Sequence, residues 1–341
     1  MITHIRLTNF RKFSQLDLKT DNKIVILVGP NAVGKTSVLE AIYLTGTSKS
    51  HRTNDQSLLI ASGQEFGIVE ISASKEYKVV IHKEGKTNFI NEVNYSKLSD
   101  FIGNLEIIMV SPLDIELITG SKGSKRRFLD LEISLLDKSY LRAINAYKKL
   151  LKERNEVLKS YNDDKKVILD VLTVQLVDLI NDLARKRIDF IKLLNEQLKK
   201  VTKRLNCEDL RLEYQASYEI NQIKKSFDNR LAYDLLTKTT NIGLHRDDFK
   251  IFINNQLIQD YASEGQIRTA ILAIKLALKE IYTLKGKKII LLLDDIFASI
   301  DQKRINYLLE YIKNEEQTFI TTTSILNVPD ELIRKAKIIK L

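Results

Sequence analysis

The chain has 341 residues, 44% of them apolar, enough for at least one large core, and it contains no run of about 18 apolar residues that would span a bilayer. Its 54 Lys and Arg against 44 Asp and Glu leave a net charge of +10, which favours a polyanionic partner, although a lysine-rich composition gives the same excess with no function behind it. Cys207 is the only cysteine and histidines are few, so an intramolecular disulfide and zinc-site spacings are excluded, and any metal would be held by oxygen; a start without a secretory signal leads us to expect a cytoplasmic location.

In chain order, a strand from Ile2 to Leu7 and a second through Leu16 and Leu18 flank a turn at Asn9–Lys12. The β-branched run Lys23–Gly29 reads as a buried strand ending in glycine. After it, Val38, Leu39, Ile42 and Tyr43 fall at helical spacing. Alternation from Gly67 to Asn94 predicts antiparallel strands. From Lys125 to Leu205 nearly everything favours helix, with one apolar stripe through Tyr140, Ile144, Tyr147, Leu151 and Leu158. A second stripe runs through Ile180, Leu183, Arg187, Ile191, Leu194, Leu198, Val201 and Leu205, and the polar break at 161–166 between them predicts a helical hairpin. Strands return at Leu212–Ala216 and Lys250–Ile253, with a turn at Asn254–Asn255. A helix from Gln266, a strand Lys288–Leu293, a helix Gln302–Lys313 and a strand Thr318–Thr321 follow. The pattern is an α/β head divided by a helical lobe, with boundaries at 1–115, 116–240 and 241–341.

Gly29, Pro30, Asn31, Ala32, Val33, Gly34, Lys35 and Thr36 fit the Walker A pattern, placed after a buried strand and at a helix start, with Ser37 following. The glycines let backbone N–H groups curl toward phosphate oxygens. Lys35 reaches the β- and γ-phosphates and the Thr36 hydroxyl binds Mg²⁺. The apolar run Leu291–Leu293 delivers Asp294 to the sheet edge as a second Mg²⁺ ligand, and Asp295 one residue on is placed to activate water. An Asp-Asp pair also serves simply to cap a helix. Ser263, Glu264, Gly265 and Gln266 open an amphipathic helix 31 residues before Asp294; alone they read as an ordinary capping sequence.

Order and spacing change that reading. Walker A, Ser-x-Gly-Gln before a helix, Asp294-Asp295 and then Ala298–Asp301 resemble the ABC-type P-loop ATPase heads of the SMC group, a mixed sheet plus an antiparallel β subdomain with an inserted helical lobe. The closer resemblance is to the RecF family of bacterial recombination mediators, carried also by Asn9-Phe10-Arg11, Ser50-His51-Arg52-Thr53, Ser111–Asp114, Lys125–Asp130 and Gly243–Asp248. It implies that Ser263 and Gly265 contact the γ-phosphate held by a second copy's P-loop, with Gln266 in the same signature and Asp301 in the D-loop across the interface. Two ATP molecules would join two heads and hydrolysis would release them. Glu264 departs from the usual Gln, Leu244 from the usual Pro, and Thr321-Thr322-Thr323 stands where ABC transporters carry a histidine.

The basic excess concentrates in the helical lobe: residues 121–166 hold thirteen Lys and Arg against seven acids, and 185–211 hold nine against four. Candidate DNA contacts are Lys122, Lys125, Arg126, Arg127, Lys148, Lys149, Arg185, Lys186 and Arg187, each also readable as part of a solvated helix face. Arg52, similar to an arginine after the Walker helix in SMC heads, has a role near phosphate or DNA. The expected protein is an ATP- and Mg²⁺-dependent homodimer that hydrolyses ATP slowly, stimulated by DNA. The resemblance further implies binding to double-stranded DNA near single-strand junctions and, through RecR and RecO, loading of RecA. The alternative is an ATP-gated clamp with little turnover.

Overall fold

The computed structural model describes residues 1–160, 164–297, 302–314 and 316–341, and these form two compact units. The first comprises residues 1–115, 200–207 and 263–341, the second 116–199 and 208–262.

The first unit opens with β1 (His4–Phe10), β2 (Phe13–Lys19), β3 (Ile24–Val28) and α1 (Lys35–Thr47). It continues through β4 (Phe66–Ser72), β5 (Glu76–His82), β6 (Gly85–Ile90), β7 (Val93–Asn94), α2 (Leu98–Phe101) and β8 (Ile107–Val110). The second holds α3 (Glu116–Thr119), α4 (Lys122–Leu136), α5 (Lys138–Lys159), α6 (Lys165–Leu205, its last turn excepted), β9 (Leu210–Gln215), α7 (Ile223–Thr237), β10 (Asp248–Ile253), β11 (Gln256–Leu257) and α8 (Ile258–Tyr261). The first unit then resumes with α9 (Glu264–Leu284), β12 (Ile290–Asp294), α10 (Gln302–Asn314), β13 (Gln317–Thr322), α11 (Asp330–Ile333) and β14 (Lys337–Lys340).

Two sheets build the first unit. An antiparallel sheet has the order β2-β1-β4-β5-β6-β7, and a parallel one the order β14-β3-β13-β12-β8. Three of the parallel strands, β3, β8 and β12, are apolar runs buried almost throughout, as expected where helices cover a sheet, and β12, Ile-Leu-Leu-Leu-Asp, is buried at every position; the edge strand β14 is partly exposed. Helix α1 touches strands of both sheets, β8, β12 and β13 on one side, β4 and β5 on the other. That sandwiching explains why it is buried almost all round rather than along one stripe. At Gly46 a Cβ would lie 2.6 Å from Ile107 Cδ1 and from the Leu105 carbonyl, so only glycine permits this approach of helix to strand. Gln317 joins the two sheets: its buried side-chain amide donates to the carbonyls of Ile2, Thr20 and Asn22 at 2.8–2.9 Å and accepts from the Ile2 N–H.

Sandwiching α1 also buries Glu40, which has no exposed surface. An unpaired carboxylate there would be prohibitive, and its partner comes from the β1–β2 turn. Arg11 donates to both Glu40 oxygens, at 2.8 and 2.5 Å, and to the Leu58 carbonyl at 2.7 Å. Ser50 donates to the same carboxylate at 2.5 Å and Arg52 stands 3.6 Å from it. Between them, His51 packs edge-on against Tyr43, with neither ring nitrogen hydrogen-bonded. Burial pushes its pKa from the usual 6.5 to about 4; Glu40 and Asp114 oppose that shift and Arg52 and Lys275 reinforce it.

In the second unit the two apolar stripes fall where the periodicity puts them: Tyr140, Ile144, Tyr147 and Leu158 are buried on α5, and Ile180 through Leu198 line the inner face of α6. Helix α6 has 41 residues, about 60 Å at 1.5 Å per residue. The expected boundary at 241 is not the one observed. Residues 248–253 pair antiparallel with β9 and carry residues 241–262 into the second unit, and the hairpin β10–β11 turns on Asn254 and Asn255, both at positive φ (47° and 64°). The head therefore resumes at Ser263. Part of the polar break expected at 161–166 lies outside the described residues.

Three residues expected on a DNA-facing surface are internal. Lys125 is buried and donates to the Phe249 carbonyl at 3.2 Å, and half-buried Arg126 donates to the Asp247 carbonyl at 2.7 Å. Arg187 is 1% exposed and binds Asp130 at 2.7 Å, the Tyr140 hydroxyl at 2.9 Å and the Leu244 carbonyl at 3.0 Å, with Asp247 3.8 Å away. Both Arg187 and Lys125 follow apolar spacing, so their heads point inward to the carboxylates of Asp130, Asp247 and Asp248. Replacing Arg187 by Met strands two carboxylates and should lower unfolding stability by about 3–5 kcal/mol in urea melts.

A pH effect follows from His51. Its folded pKa lies below its unfolded one, so the unfolded chain binds the extra proton and stability is lost as pH falls from about 6.5 towards 4. Thermal melts across that window should show a shallower fall for His51→Gln than for the parent.

Candidate nucleotide site

The site grows from the C-terminal edge of the parallel sheet, where open α/β folds leave a crevice. Strand β3 ends at Val28, and the chain then curls through Gly29–Gly34 with Ala32 at φ 63° and Gly34 at φ 107° before α1 begins. Two left-handed positions separated by one residue turn backbone N–H groups toward a common point, which is how such loops hold anions. Gly34 is required for a second reason. The Phe13 ring of the β1–β2 hairpin would lie 2.4 Å from a Cβ there. The same hairpin braces the loop through Lys12, whose Nζ donates to the Ala32 carbonyl at 2.7 Å. Lys35 folds back onto the Gly29 and Pro30 carbonyls at 2.7 and 2.8 Å, so its ammonium lies at the loop's centre.

Strand β13 lies between β3 and β12 and is paired in parallel with both. It brings Thr321 beside Asp294, the last residue of β12. The Thr321 hydroxyl donates to Asp294 Oδ1 at 2.6 Å, and the Thr36 hydroxyl at the start of α1 lies 3.0 and 3.1 Å from the two carboxylate oxygens. Burial raises the Asp294 pKa, and the hydrogen bonds from Thr321 and Thr36 oppose it. Asp295 follows at φ 50°, an uncommon conformation for a non-glycine residue; its N–H bonds to the Thr321 carbonyl and hydroxyl at 3.2 and 3.0 Å, and its Oδ1 is buried without a hydrogen-bond partner. A cleft of about 530 Å³ opens over these groups, lined among others by Asn31, Ser37, Arg11, Arg52 and Thr323. Thr36 and Asp294 are hard oxygen donors in contact. Such a pair suits a Mg²⁺ that takes its remaining ligands from phosphate and water. Among the described residues no larger cluster of metal-ligating side chains occurs.

The Ser263–Gln266 segment forms the N-terminus of the 21-residue helix α9 in a full capping box: the Ser263 hydroxyl accepts from Gln266 N–H at 3.3 Å, and Gln266 Oε1 accepts from Ser263 N–H at 2.8 Å. The cap and the expected ligand-binding role coexist, because Ser263, Glu264 and Gly265 are exposed and no heavy atom lies within 4 Å of a Cβ built on Gly265. Glu264 is paired to Arg268 at 2.5 Å, which screens its charge at the helix start. Asp301 and the Ala298–Asp301 segment lie outside the described residues.

The sequence reading missed Thr321 as the link between the P-loop helix and Asp294, and missed the bracing hairpin. The apolar pair Phe319-Ile320 followed by three threonines held the first signal, since it puts polar Thr321 near the end of a buried strand. Of the basic candidates, Lys122, Arg127, Lys148, Lys149 and Arg185 are exposed, whereas Lys186 bridges Asp137 at 2.9 Å and Asp182 at 3.6 Å.

Comparisons with known proteins give the family of the chain. A family model described as the RecF/RecN/SMC N terminal domain matches residues 1–334. The DNA replication and repair protein RecF of Bacillus cytotoxicus is 35% identical over 357 residues, covering 99% of this chain and 96% of its own, and that of Bacillus cereus is 35% identical over 359 residues with the same coverage. Among solved structures, the recombination mediator protein RecF-ATPrS in the RecFOR pathway superposes with a TM-score of 0.88 at 29% identity, covering 100% of this chain and 96% of that one. The corresponding RecF-ATP structure gives 0.87 at 30%, covering 95% and 93%. The Smc head of Pyrococcus furiosus, at 14% identity and TM-score 0.55 over 99% and 92% of the two chains, shares the fold. The chain belongs to the RecF/RecN/SMC family of ABC-type ATPase heads and, within it, to the RecF proteins of DNA replication and repair.

Proposed function

We propose that this protein is a Mg²⁺-dependent ATPase of recombinational repair that dimerises on ATP and closes on duplex DNA near single-strand junctions. The observation that carries the reading is the pairing of a complete P-loop and Asp294 clasp with a signature helix whose N-terminus stands exposed in a single copy. In this reading the P-loop N–H groups and Lys35 hold the β- and γ-phosphates, and Thr36 and Asp294 hold Mg²⁺. Bound Mg²⁺ neutralises charge on the phosphates. Arg52 at the cleft rim, tethered near Glu40, faces phosphate rather than DNA. From a second copy, Ser263, Gly265 and Gln266 close the other side of the γ-phosphate, a helix N-terminus being suited to negative charge, with Asp301 nearby. Asp295 orients and deprotonates the attacking water: its buried Oδ1 lacks a donor that a water would supply.

Recombinase loading and the RecO and RecR partners rest on the family alone and belong to this proposal. The exposed lysines and arginines of the second unit, Lys122, Arg127, Lys148, Lys149 and Arg185, are the phosphate-contacting candidates left once the three internal ones and Lys186, which is held between Asp137 and Asp182, are set aside.

Sedimentation with ATP and Mg²⁺ tests the sandwich: the parent should run as a dimer and Ser263→Arg as a monomer, and equal behaviour of the two would remove the contact in trans. Phosphate release over many turnovers, with and without duplex DNA, separates an ATPase from a clamp that only binds nucleotide. For DNA, Lys148→Glu with Lys149→Glu should weaken binding about equally across sequences and flatten the slope of log affinity against log salt by about one for each phosphate that is no longer neutralised.

A further inference from the structure

A second groove in the first unit shares none of its lining with the nucleotide cleft. It lies between the segment following α1 and the strands β6 and β7, has a volume of about 610 Å³, and is lined by Ser48, Lys49, Gln56, Lys86, Asn88 and Tyr95 among others. We infer that this groove is a binding site for one nucleotide unit, its phosphate set against Lys49 and Lys86 and its base or sugar donating to the amide oxygens of Asn88 and Gln56.

Three observations lead there. Asn88 is only 6% exposed, yet its Oδ1 has no hydrogen-bond partner, and the buried Oε1 of Gln56 on the opposite wall has none either. Buried amide oxygens are ordinarily satisfied, and two orphans on residues that line one groove call for donors. Second, the groove gathers positive charge. The Lys86 ammonium is anchored by donation to the Ser48 carbonyl at 2.5 Å, and burial, reinforced by Lys49, brings its pKa down to about 8. The carboxylate of Asp55 also lines the groove, but it is already bonded to the Ser57 N–H and hydroxyl at 2.9 and 2.7 Å. An anion relieves the repulsion between the two ammonium groups and restores the charge that burial disfavours. Third, Leu59, Tyr95 and Leu98 add an apolar and aromatic side to an otherwise polar lining, a surface on which a base can lie.

A bare inorganic anion meets the charge and leaves the amide oxygens without donors. A neutral sugar does the reverse. A nucleotide carries both functions within one small molecule, and the groove has room for it. It can come from two sources, a free mononucleotide or one residue of a DNA strand. The inference stands independently of the ATP sandwich, because no residue of the P-loop, the Asp294 clasp or the α9 terminus lines this groove.

The test uses the full chain carrying Lys35→Ala, which silences the P-loop. Deoxyadenosine 5′-monophosphate is titrated by calorimetry, and a fluorescent single-stranded oligodeoxynucleotide of about 15 residues by anisotropy. At least one probe should bind, and Lys86→Gln and Asn88→Leu should each weaken it about tenfold or more, while Lys83→Gln, in the adjoining turn, leaves it unchanged. Binding of the monophosphate assigns a free nucleotide; binding of the oligonucleotide alone assigns a DNA strand. Binding of neither probe, or equal affinity of parent and both variants, overturns the inference. Sedimentation with ATP of Asn88→Leu carrying native Lys35 reads the sandwich separately and should match the parent. A loss there together with loss of the probe would make the groove a support for the head fold and would also overturn the inference.

Discussion

The carboxylate of Asp294 holds the head's two halves to one another at the point where chemistry is expected. It sits at the end of β12, shielded from solvent, and two hydroxyls reach it: Thr36 from the first turn of α1 and Thr321 from β13. Thr36 is separated from the other two by hundreds of positions in the chain, and their meeting requires the strand order in which β13 runs between β3 and β12. Everything else about the cleft follows from that arrangement. The P-loop lies above it because β3 ends beside Thr322, and Asp295 enters the cleft because its N–H is fixed by Thr321.

A second buried carboxylate governs how the antiparallel sheet joins the head. Glu40 would be intolerable in the middle of a two-sided helix without Arg11, and Arg11 sits at the tip of the β1–β2 hairpin, beside the residues that brace the P-loop. The loop is thus supported from beneath by the parallel sheet and from the side by a hairpin of the other sheet. Its shape is imposed by packing before any ligand arrives, which is the preorganisation that phosphate recognition needs.

The P-loop, the Asp294 strand and the helix after Ser263 were legible because each is a local pattern: a buried β-branched run, a small-residue turn, a helical period. What escaped depended on pairing between distant segments. The Thr321 link and the Glu40–Arg11 pair join positions that no periodicity relates. The boundary drawn at 241 failed because β10 finds its partner in β9, so a segment that reads like the return of the head belongs to the other unit. Lys125 and Arg187 misled for a physical reason: counting charge treats every cation as solvated, whereas both fall on apolar faces and serve carboxylates inside. Arg187 already stood in the apolar stripe of α6, and that position carried more information than its charge.

The order β14-β3-β13-β12-β8 has a consequence for synthesis. Translation delivers β3 as residues 24–28, but its two neighbours arrive only as residues 317–322 and 337–340. Until then the P-loop strand has no lateral partners, while residues 116–199 and 208–262 can already assemble with one another. Contacts of such long sequence separation close slowly. From the synthesis of β3 to that of β13 and β14 the nascent chain is therefore unable to hold a nucleotide at this site, and the competence arises in one late step, when those two strands slot in on either side of β3.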